Sequence, residues 1–202
     1  MNYVKGPFKN KKEIVLASRS PRRQQLLSSL GIHFQVFDSK IKETNSANTP
    51  EDLVIKNAHK KALSAQKQRV QGVIISADTI VVLNNEVIGK PKHKEDAIFT
   101  LQKLSGKWHE VYTGCCILDL SEGKSQLEQF VVKSEVFVDK LDPYIIKAYV
   151  ETNEPLDKAG SYAIQGVGAF FVKKIKGSYT NIVGLPLNEI VNILLKIDAI
   201  GV

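Results

Sequence analysis

The segment from Ile14 to Gly31 restricts the fold more than any other part of the chain. Ile14-Val15-Leu16-Ala17 is a short apolar run of the kind that forms a buried strand. It runs straight into Ser18-Arg19-Ser20-Pro21-Arg22-Arg23, and a helical pattern carrying Leu26, Leu27 and Leu30 follows. Ser20 suits the N-cap, Pro21 the first helical position and Gly31 the C-terminal stop. A strand that feeds a capped helix presents free backbone N–H groups and the positive end of the helix dipole at the junction. Two hydroxyls and two or three guanidinium groups converge there, and arginine forks match phosphate oxygens. The junction reads as a phosphate cradle or, more plainly, as a capped helix with solvated arginines.

The rest of the chain extends this pattern. Ile32, Phe34 and Val36 alternate with polar partners as a half-buried strand, and Thr49-Pro50-Glu51-Asp52 opens a second helix running to about Gln68. Val73 to Ala77 is another buried strand, with Asp78 at its end. Ile80 to Leu83 and Glu86 to Ile88 flank Asn84-Asn85, a tight hairpin turn. A third helix is expected from Lys94 to Leu104, stopping at Ser105-Gly106. Val111 to Leu120 and Leu127 to Val138 read as two strands joined around Gly123. Asp142-Pro143 caps a short helix ending near Val150, Ala169 to Ile175 is a strand, and Pro186 opens a final helix through about Lys196. Early alternation of helices and strands, with paired strands in the middle, predicts an α/β fold with a mixed sheet. With no repeat, low-complexity stretch or separating linker, the expected organisation is a short basic N-terminal extension, residues 1–13, and a single domain, residues 14–202.

Charge narrows the partners. The formal net charge is +7, but residues 1–30 hold Lys5, Lys9, Lys11, Lys12, Arg19, Arg22 and Arg23 against Glu13 alone. The remaining residues balance at 21 basic and 20 acidic groups. So local an excess argues for a compact anion site near the N-terminus and against a nucleic-acid face. Hydrophobic residues at 43% and charged residues at 24% exclude disordered, collagen-like and coiled-coil chains. No apolar run approaches the ~18–20 residues of a membrane span, and Met1 to Lys12 lacks the apolar stretch of a secretory signal. Cys115 and Cys116 are adjacent, and strand neighbours point to opposite faces, so they suit neither a disulfide nor a zinc knuckle. A reducing cytoplasm is the expected setting.

Several residues could carry chemistry. Asp78 follows a buried strand, where ligands collect in open α/β sheets; it could hold a divalent metal, act as a general base, or form a turn with its own backbone. Glu43 could be a second carboxylate for the same metal, or a solvated loop residue. Lys61 on the second helix and Lys90 in Gly89-Lys90-Pro91 are candidate phosphate contacts or ordinary surface lysines. Gly160, Gly166 and Gly168 surround Gln165, whose amide can read both donor and acceptor edges of a base; otherwise the stretch is a loop of turn residues. Walker-type, GxGxxG, HExxH and GxSxG motifs are lacking, and His33, His59, His93 and His109 do not cluster at ligand spacing.

The chain resembles the Maf family of nucleotide pyrophosphatases. The resemblance begins at Leu16 to Arg23 and continues through Ser76-Ala77-Asp78-Thr79-Ile80-Val81 and Gly89-Lys90-Pro91. It extends to Leu104-Ser105-Gly106 with His109, to Thr113-Gly114 and to Asp157 through Gly166, and closes with Gly177-Ser178-Tyr179 and Val183 to Pro186. It spans about Ile14 to Leu195, and its motifs occur in order and at familiar spacing.

The resemblance implies a two-lobed α/β fold around a deep cleft, and hydrolysis of a nucleoside triphosphate to a monophosphate and pyrophosphate. Tyr162 to Gly166 is similar to the dTTP/UTP subgroup, whereas the 7-methyl-GTP subgroup carries a Lys-Ala-Glu-Gly type of loop. Asp78 matches the proton acceptor, and Arg22, Thr79 and Gln165 match positions of base selection. With Mg²⁺ or Mn²⁺ on Asp78 and Glu43, the residues expected at the phosphates are Ser18, Arg22, Arg23, Lys61 and Lys90. A nucleoside triphosphate substrate and a homodimer are implied, with neither nucleic acid nor membrane. The rival expectations are a 7-methyl-GTP pyrophosphatase and a nucleotide-binding regulator of septum formation. Met1 to Lys12 extends ahead of the family's usual start with no assigned role, and Cys115-Cys116 stands where small or apolar residues are usual.

Overall fold

The computed structural model describes residues 6–68, 70–123 and 125–202, so Lys5 and the first residues of the N-terminal extension lie outside it. In chain order the elements are β1 (Lys9–Asn10), β2 (Ile14–Leu16), α1 (Pro21–Ser29), β3 (Gln35–Val36), α2 (Pro50–Lys67), β4 (Val73–Leu83), β5 (Glu86–Ile88) and α3 (Lys94–Leu104). They continue with β6 (Trp108–Asp119), β7 (Gln126–Val138), α4 (Pro143–Glu151), β8 (Val172–Lys176), α5 (Tyr179–Val183), α6 (Leu187–Lys196) and β9 (Ile200–Gly201). The fold is mixed α/β. Two compact units divide it: one holds the chain up to Asp78, Thr113–Val131 and Gly184–Val202, the other Thr79–Tyr112 and Val132–Val183.

In the first unit β2 pairs parallel to both β3 and β4, with Ile14 opposite Val73 and Leu16 opposite Ile75. Strand periodicity sorts the core. Ile14, Leu16, Val73, Ile75, Cys115 and Ile117 face a cluster with Leu27 of α1 and Ile190 and Leu194 of α6. Their neighbours Val15, Ala17, Ile74, Cys116 and Leu118 face Ala58, Ala62 and Ala65 of α2. The adjacent cysteines thus lie in opposite layers, both buried and free, as their alternation requires. Burial pushes the thiol of Cys115 up to about 12 and that of Cys116 up to about 11, so both are inert.

Helix ends follow the expected chemistry. Thr49 caps α2 by accepting from Asp52 N–H at 3.1 Å, and Pro50 occupies its first position. Ser20 is the N-cap residue of α1, but its side chain makes no capping bond. Residues 9–10, whose role the sequence leaves open, pair antiparallel with β9, Lys9 opposite Gly201.

Three expectations need correction. The alternating strand from Ile32 to Val36 shrinks to Gln35–Val36, because the carboxamide of Asn10 takes both backbone groups of His33: His33 N–H donates to Asn10 Oδ1 at 2.9 Å, and Asn10 Nδ2 donates to His33 O at 2.7 Å. The strand expected from Ala169 starts only at Val172, after a 3₁₀ segment over Val167–Phe171. Asp78 is not at the end of a strand. β4 runs unbroken from Val73 to Leu83 through Asp78, since that side chain is held by other residues and does not fold back into a turn.

In the second unit β4 and β5 form the expected hairpin, with Leu83 opposite Glu86 and Asn84 and Asn85 at φ +51° and +64°. β8 pairs antiparallel with β7. The unit's core joins Val81 and Leu83 of β4 and Val136 and Val138 of β7 to Leu101 and Leu104 of α3 and to Ile146, Tyr149 and Val150 of α4. Among the described residues no helix is long and apolar enough to cross a membrane.

Candidate active site

Seven positively or negatively charged or amide groups named from the sequence divide between the units. Arg22, Arg23, Glu43, Lys61 and Asp78 fall in the first, with the hydroxyl of Ser18; Lys90 and Gln165 fall in the second, with the hydroxyl of Thr79.

Within the first unit the structure brings Glu43, Lys61 and Asp78 into one cluster. The ammonium of Lys61 lies 2.7 Å from Asp78 Oδ1 and 2.7 Å from Glu43 Oε1, and donates to Ala77 O at 3.2 Å. Three acceptors match the three N–H groups of a lysine. Lys61 and Asp78 are nearly buried, while the Glu43 side chain is half exposed. The cluster arises because α2 packs on the sheet with a stripe of Leu53, Val54, Asn57, Ala58, Lys61, Ala62 and Ala65. Those positions recur every three or four residues, as a buried helix face does. Two members of the stripe are polar, and both reach Asp78.

One of them, Asn57, was not singled out by the sequence. Its Nδ2 donates to Asp78 Oδ2 at 3.0 Å and to Thr44 O at 3.1 Å, and its Oδ1 accepts from Thr44 N–H at 2.8 Å. The available signal was its place on an otherwise apolar stripe, four residues before Lys61.

At the strand-to-helix junction, Arg23 points inward. Its Nε donates to Gly184 O at 2.7 Å, and its Nη1 donates to Ala77 O at 2.9 Å and to Ser18 Oγ at 3.1 Å. Burial lowers the guanidinium pKa and the nearby Asp78 carboxylate opposes it, so the group stays cationic. Arg22, at the second position of α1, is half-buried, and Arg19 is exposed beside Asp38 at 3.3 Å. Ser18 Oγ also accepts from Ser20 N–H at 3.3 Å. The junction therefore concentrates cations and helix N–H groups next to the carbonyl of Ala77, the residue before Asp78.

In the second unit Gly160 N–H donates to Gly89 O at 3.3 Å, which joins the Gly89-Lys90-Pro91 loop, with Lys90 exposed, to the glycine-rich segment. That segment is pinned on both sides of Gln165. On one side, Tyr162 OH meets His109 Nε2 at 2.8 Å. On the other, Glu154 accepts from Val167 N–H at 2.9 Å, Gly168 N–H at 2.8 Å and Tyr149 OH at 2.7 Å. Gln165 is exposed and Thr79, on β4, is half-buried. Glu154 and His109, which hold this segment, were not among the residues assigned a role.

For a cation, Asp78 and Glu43 offer hard carboxylate oxygens, the donor type that Mg²⁺ takes one or two of while sharing the rest of its shell with phosphate oxygens. Among the described residues no group of three or more His, Cys, Asp or Glu side chains stands at ligand spacing.

Comparison with known proteins agrees in family. The model of the Maf-like protein family matches residues 13–197. The dTTP/UTP pyrophosphatase of Ruminiclostridium cellulolyticum is 48% identical over 189 residues, 93% of this chain and 97% of that protein. The dTTP/UTP pyrophosphatase of Thermosipho melanesiensis is 47% identical over 182 residues, 90% and 96% of the two chains. Among solved structures, the Staphylococcus aureus Ham1 protein aligns at 14% identity with a TM-score of 0.46, over 91% of this chain and 98% of that one.

Proposed function

Given that the chain belongs to the Maf family, we propose that it hydrolyses nucleoside triphosphates, dTTP and UTP foremost, to the monophosphate and pyrophosphate. The observation that carries this reading is the nearly buried Asp78, whose carboxylate is oriented by Lys61 and Asn57 beside the guanidinium-rich start of α1. The dTTP/UTP pyrophosphatases to which the chain is similar supply the substrate class.

In this reading a water attacks the α-phosphorus, Asp78 accepts its proton, and the bond from that phosphorus to the bridging oxygen breaks to release pyrophosphate. Lys61, Arg22 and Arg23, with the hydroxyl of Ser18 and the ammonium of Lys90, bind phosphate oxygens and offset the charge that develops on them. Asp78 and Glu43 would hold a divalent cation, Mg²⁺ or Mn²⁺. The chemistry such a cation supplies is polarisation of the phosphate and a lowered pKa of bound water. Arg22, Thr79 and Gln165 select the base: uracil and thymine place carbonyl acceptors around one N–H donor, and an amide complements that edge. A site bonded to that edge rejects cytosine more firmly than it separates dTTP from UTP. The same reading makes the protein a cytoplasmic homodimer with no nucleic-acid partner.

The test is pyrophosphate release from dTTP, UTP, CTP, GTP and 7-methyl-GTP with Mg²⁺ or Mn²⁺, beside Asp78→Asn. Turnover of dTTP and UTP that is lost in Asp78→Asn is the expected result. Turnover confined to 7-methyl-GTP would discard the base assignment. Tight nucleotide binding without pyrophosphate would replace the enzyme by a nucleotide-binding regulator.

A further inference from the structure

The reading of Asp78 as proton acceptor requires that its carboxylate be aimed, and the geometry around it is over-determined at one residue. We propose that Asn57 is a positioning residue that fixes both Asp78 and the backbone next to Glu43, so that the two carboxylates keep one separation through turnover. This inference rests on the reading of Asp78 given above.

All the hydrogens of the Asn57 carboxamide are committed. One Nδ2 hydrogen goes to Asp78 Oδ2 and the other to Thr44 O, while Oδ1 receives Thr44 N–H. Turning the amide over would set Oδ1 against both the Asp78 carboxylate and the Thr44 carbonyl, so only one orientation is bonded. The pairing with Thr44 copies a backbone-to-backbone pair and holds that peptide in register. Glu43 is the preceding residue, and its Oε1 meets the same Lys61 ammonium that meets Asp78 Oδ1. The contacts thus close a circuit: Asp78 to Asn57, Asn57 to Thr44, Thr44 to Glu43 along the chain, Glu43 to Lys61, and Lys61 back to Asp78.

Asn57 and Lys61 divide the work. Lys61 supplies charge but its single nitrogen on a four-carbon stem sets distance and not plane. The carboxamide on Oδ2, at 3.0 Å, fixes the second oxygen and with it the plane of the carboxylate. Asn57 is 3% exposed and anchored on α2, so its own rotamer is held by packing. It touches neither water nor phosphate in the reaction as read above, and acts through Asp78 and the Glu43 segment.

The test compares the parent protein with Asn57→Asp, Asn57→Leu and Asp78→Asn. Asn57→Asp matches in shape and keeps the bond from Thr44 N–H, but replaces the donor to Asp78 by an acceptor. Asn57→Leu keeps the volume on the α2 stripe and removes every bond. Three quantities are read: pyrophosphate release from UTP with Mg²⁺, calorimetric affinity for a UTP analogue with a methylene between the α and β phosphates, and thermal melting. Misplacement of a catalytic group by about 1 Å costs about 100-fold in rate, so both Asn57 variants are expected to lose about 10- to 100-fold in kcat. KM and analogue affinity should stay within about threefold of the parent, since uniform binding is not what the residue provides. A merely structural asparagine would lower the melting temperature and leave kcat per folded molecule unchanged, and that result overturns the inference. If Asn57→Leu does not fold, Asn57→Asp decides alone. Full activity in both Asn57 variants beside an inactive Asp78→Asn overturns the positioning role and leaves the reading of Asp78 standing. Full activity in Asp78→Asn overturns that reading itself.

Discussion

The carboxylate of Glu154 occupies the space that a side chain on Gly166 would need: a Cβ there would lie 2.2 Å from Glu154 Oε1. Gly166 also sits at φ +143° and ψ −158°, a region that essentially only glycine enters. Glu154 is partly desolvated, which raises a carboxyl pKa, but bonds from Tyr149, Gly168 and Val167 outweigh that and hold it below the usual range. It stays charged and keeps the peptides after Gly166 in place. Gly166→Ala therefore forces either the carboxylate or the Gln165 peptide to move. A loss of about 1–3 kcal/mol in urea unfolding is expected. KM for dTTP and UTP should rise more than kcat falls if Gln165 selects the base as proposed above. A fall in kcat with unchanged KM would detach this segment from the base.

Arg23 ties together segments far apart in sequence. Its acceptors Ala77 and Gly184 lie 54 and 161 residues away. Arg23 reaches Gly184 O from Nε and Ala77 O and Ser18 Oγ from Nη1, and the single nitrogen of a lysine cannot stand at both of those places. Arg23→Lys leaves buried acceptors without their donor, at a cost of about 2–4 kcal/mol. Urea midpoints of the parent and the variant measure it. An unchanged midpoint would mean that the guanidinium serves the ligand alone and not the fold.

His109 gives the fold an acid limit. It is buried and bonded through Nε2 to Tyr162 OH, and burial pushes its pKa down from 6.5 to about 4. The native imidazole is neutral at pH 5, whereas in the unfolded chain it takes a proton as pH falls below about 6.5. The unfolded state then binds more protons, so stability is present above that pH and is lost as pH drops towards 4. Between pH 7 and pH 5 this group alone removes about 2 kcal/mol. His109→Gln, which keeps a side-chain amide for Tyr162, should lose less stability over that interval by about the same amount. Parallel pH profiles for the two proteins would assign the acid limit elsewhere.

How far these features could be read in advance depended on whether their cause was local. The bounds of α2 follow from Thr49, Pro50 and an apolar stripe, and the β4–β5 turn from Asn84-Asn85. Such signals lie within a few residues of what they cause. Asp78 was legible as a carboxylate at a buried strand, but its position inside an unbroken β4 was not, because Lys61 and Asn57 arrive from α2 to hold the side chain. Arg23 and Ser18 were legible as a cation and a hydroxyl at a helix start. That Arg23 turns inward was not, since its carbonyl acceptors come from distant segments. Asn57 and Glu154 escaped notice for a different reason. A lone asparagine on a helix and a lone glutamate before a proline are ordinary until the backbone N–H groups and the carboxylate they serve are in place.

Gly114 lies outside the charged cluster but bears on it through α2. It lies on β6, and a Cβ there would stand 2.6 Å from Val54 C and 2.8 Å from Ile55 N, both backbone atoms of α2. The strand and the helix touch main chain to main chain at this point, which only glycine permits. Backbone cannot swing aside as a flexible side-chain end can, so Gly114→Ala must lift this turn of α2 or bend β6. The next turns of the same helix carry Asn57 and Lys61, so the lift is transmitted to Asp78. Overpacking of this kind costs about 1–3 kcal/mol. A displacement well below 1 Å at Asp78 should still lower kcat by about tenfold or more. Urea unfolding and UTP turnover on the same preparation separate the two effects. A destabilised Gly114→Ala with kcat intact would show that α2 moves without carrying Asn57 and Lys61 with it, and that the site tolerates the shift.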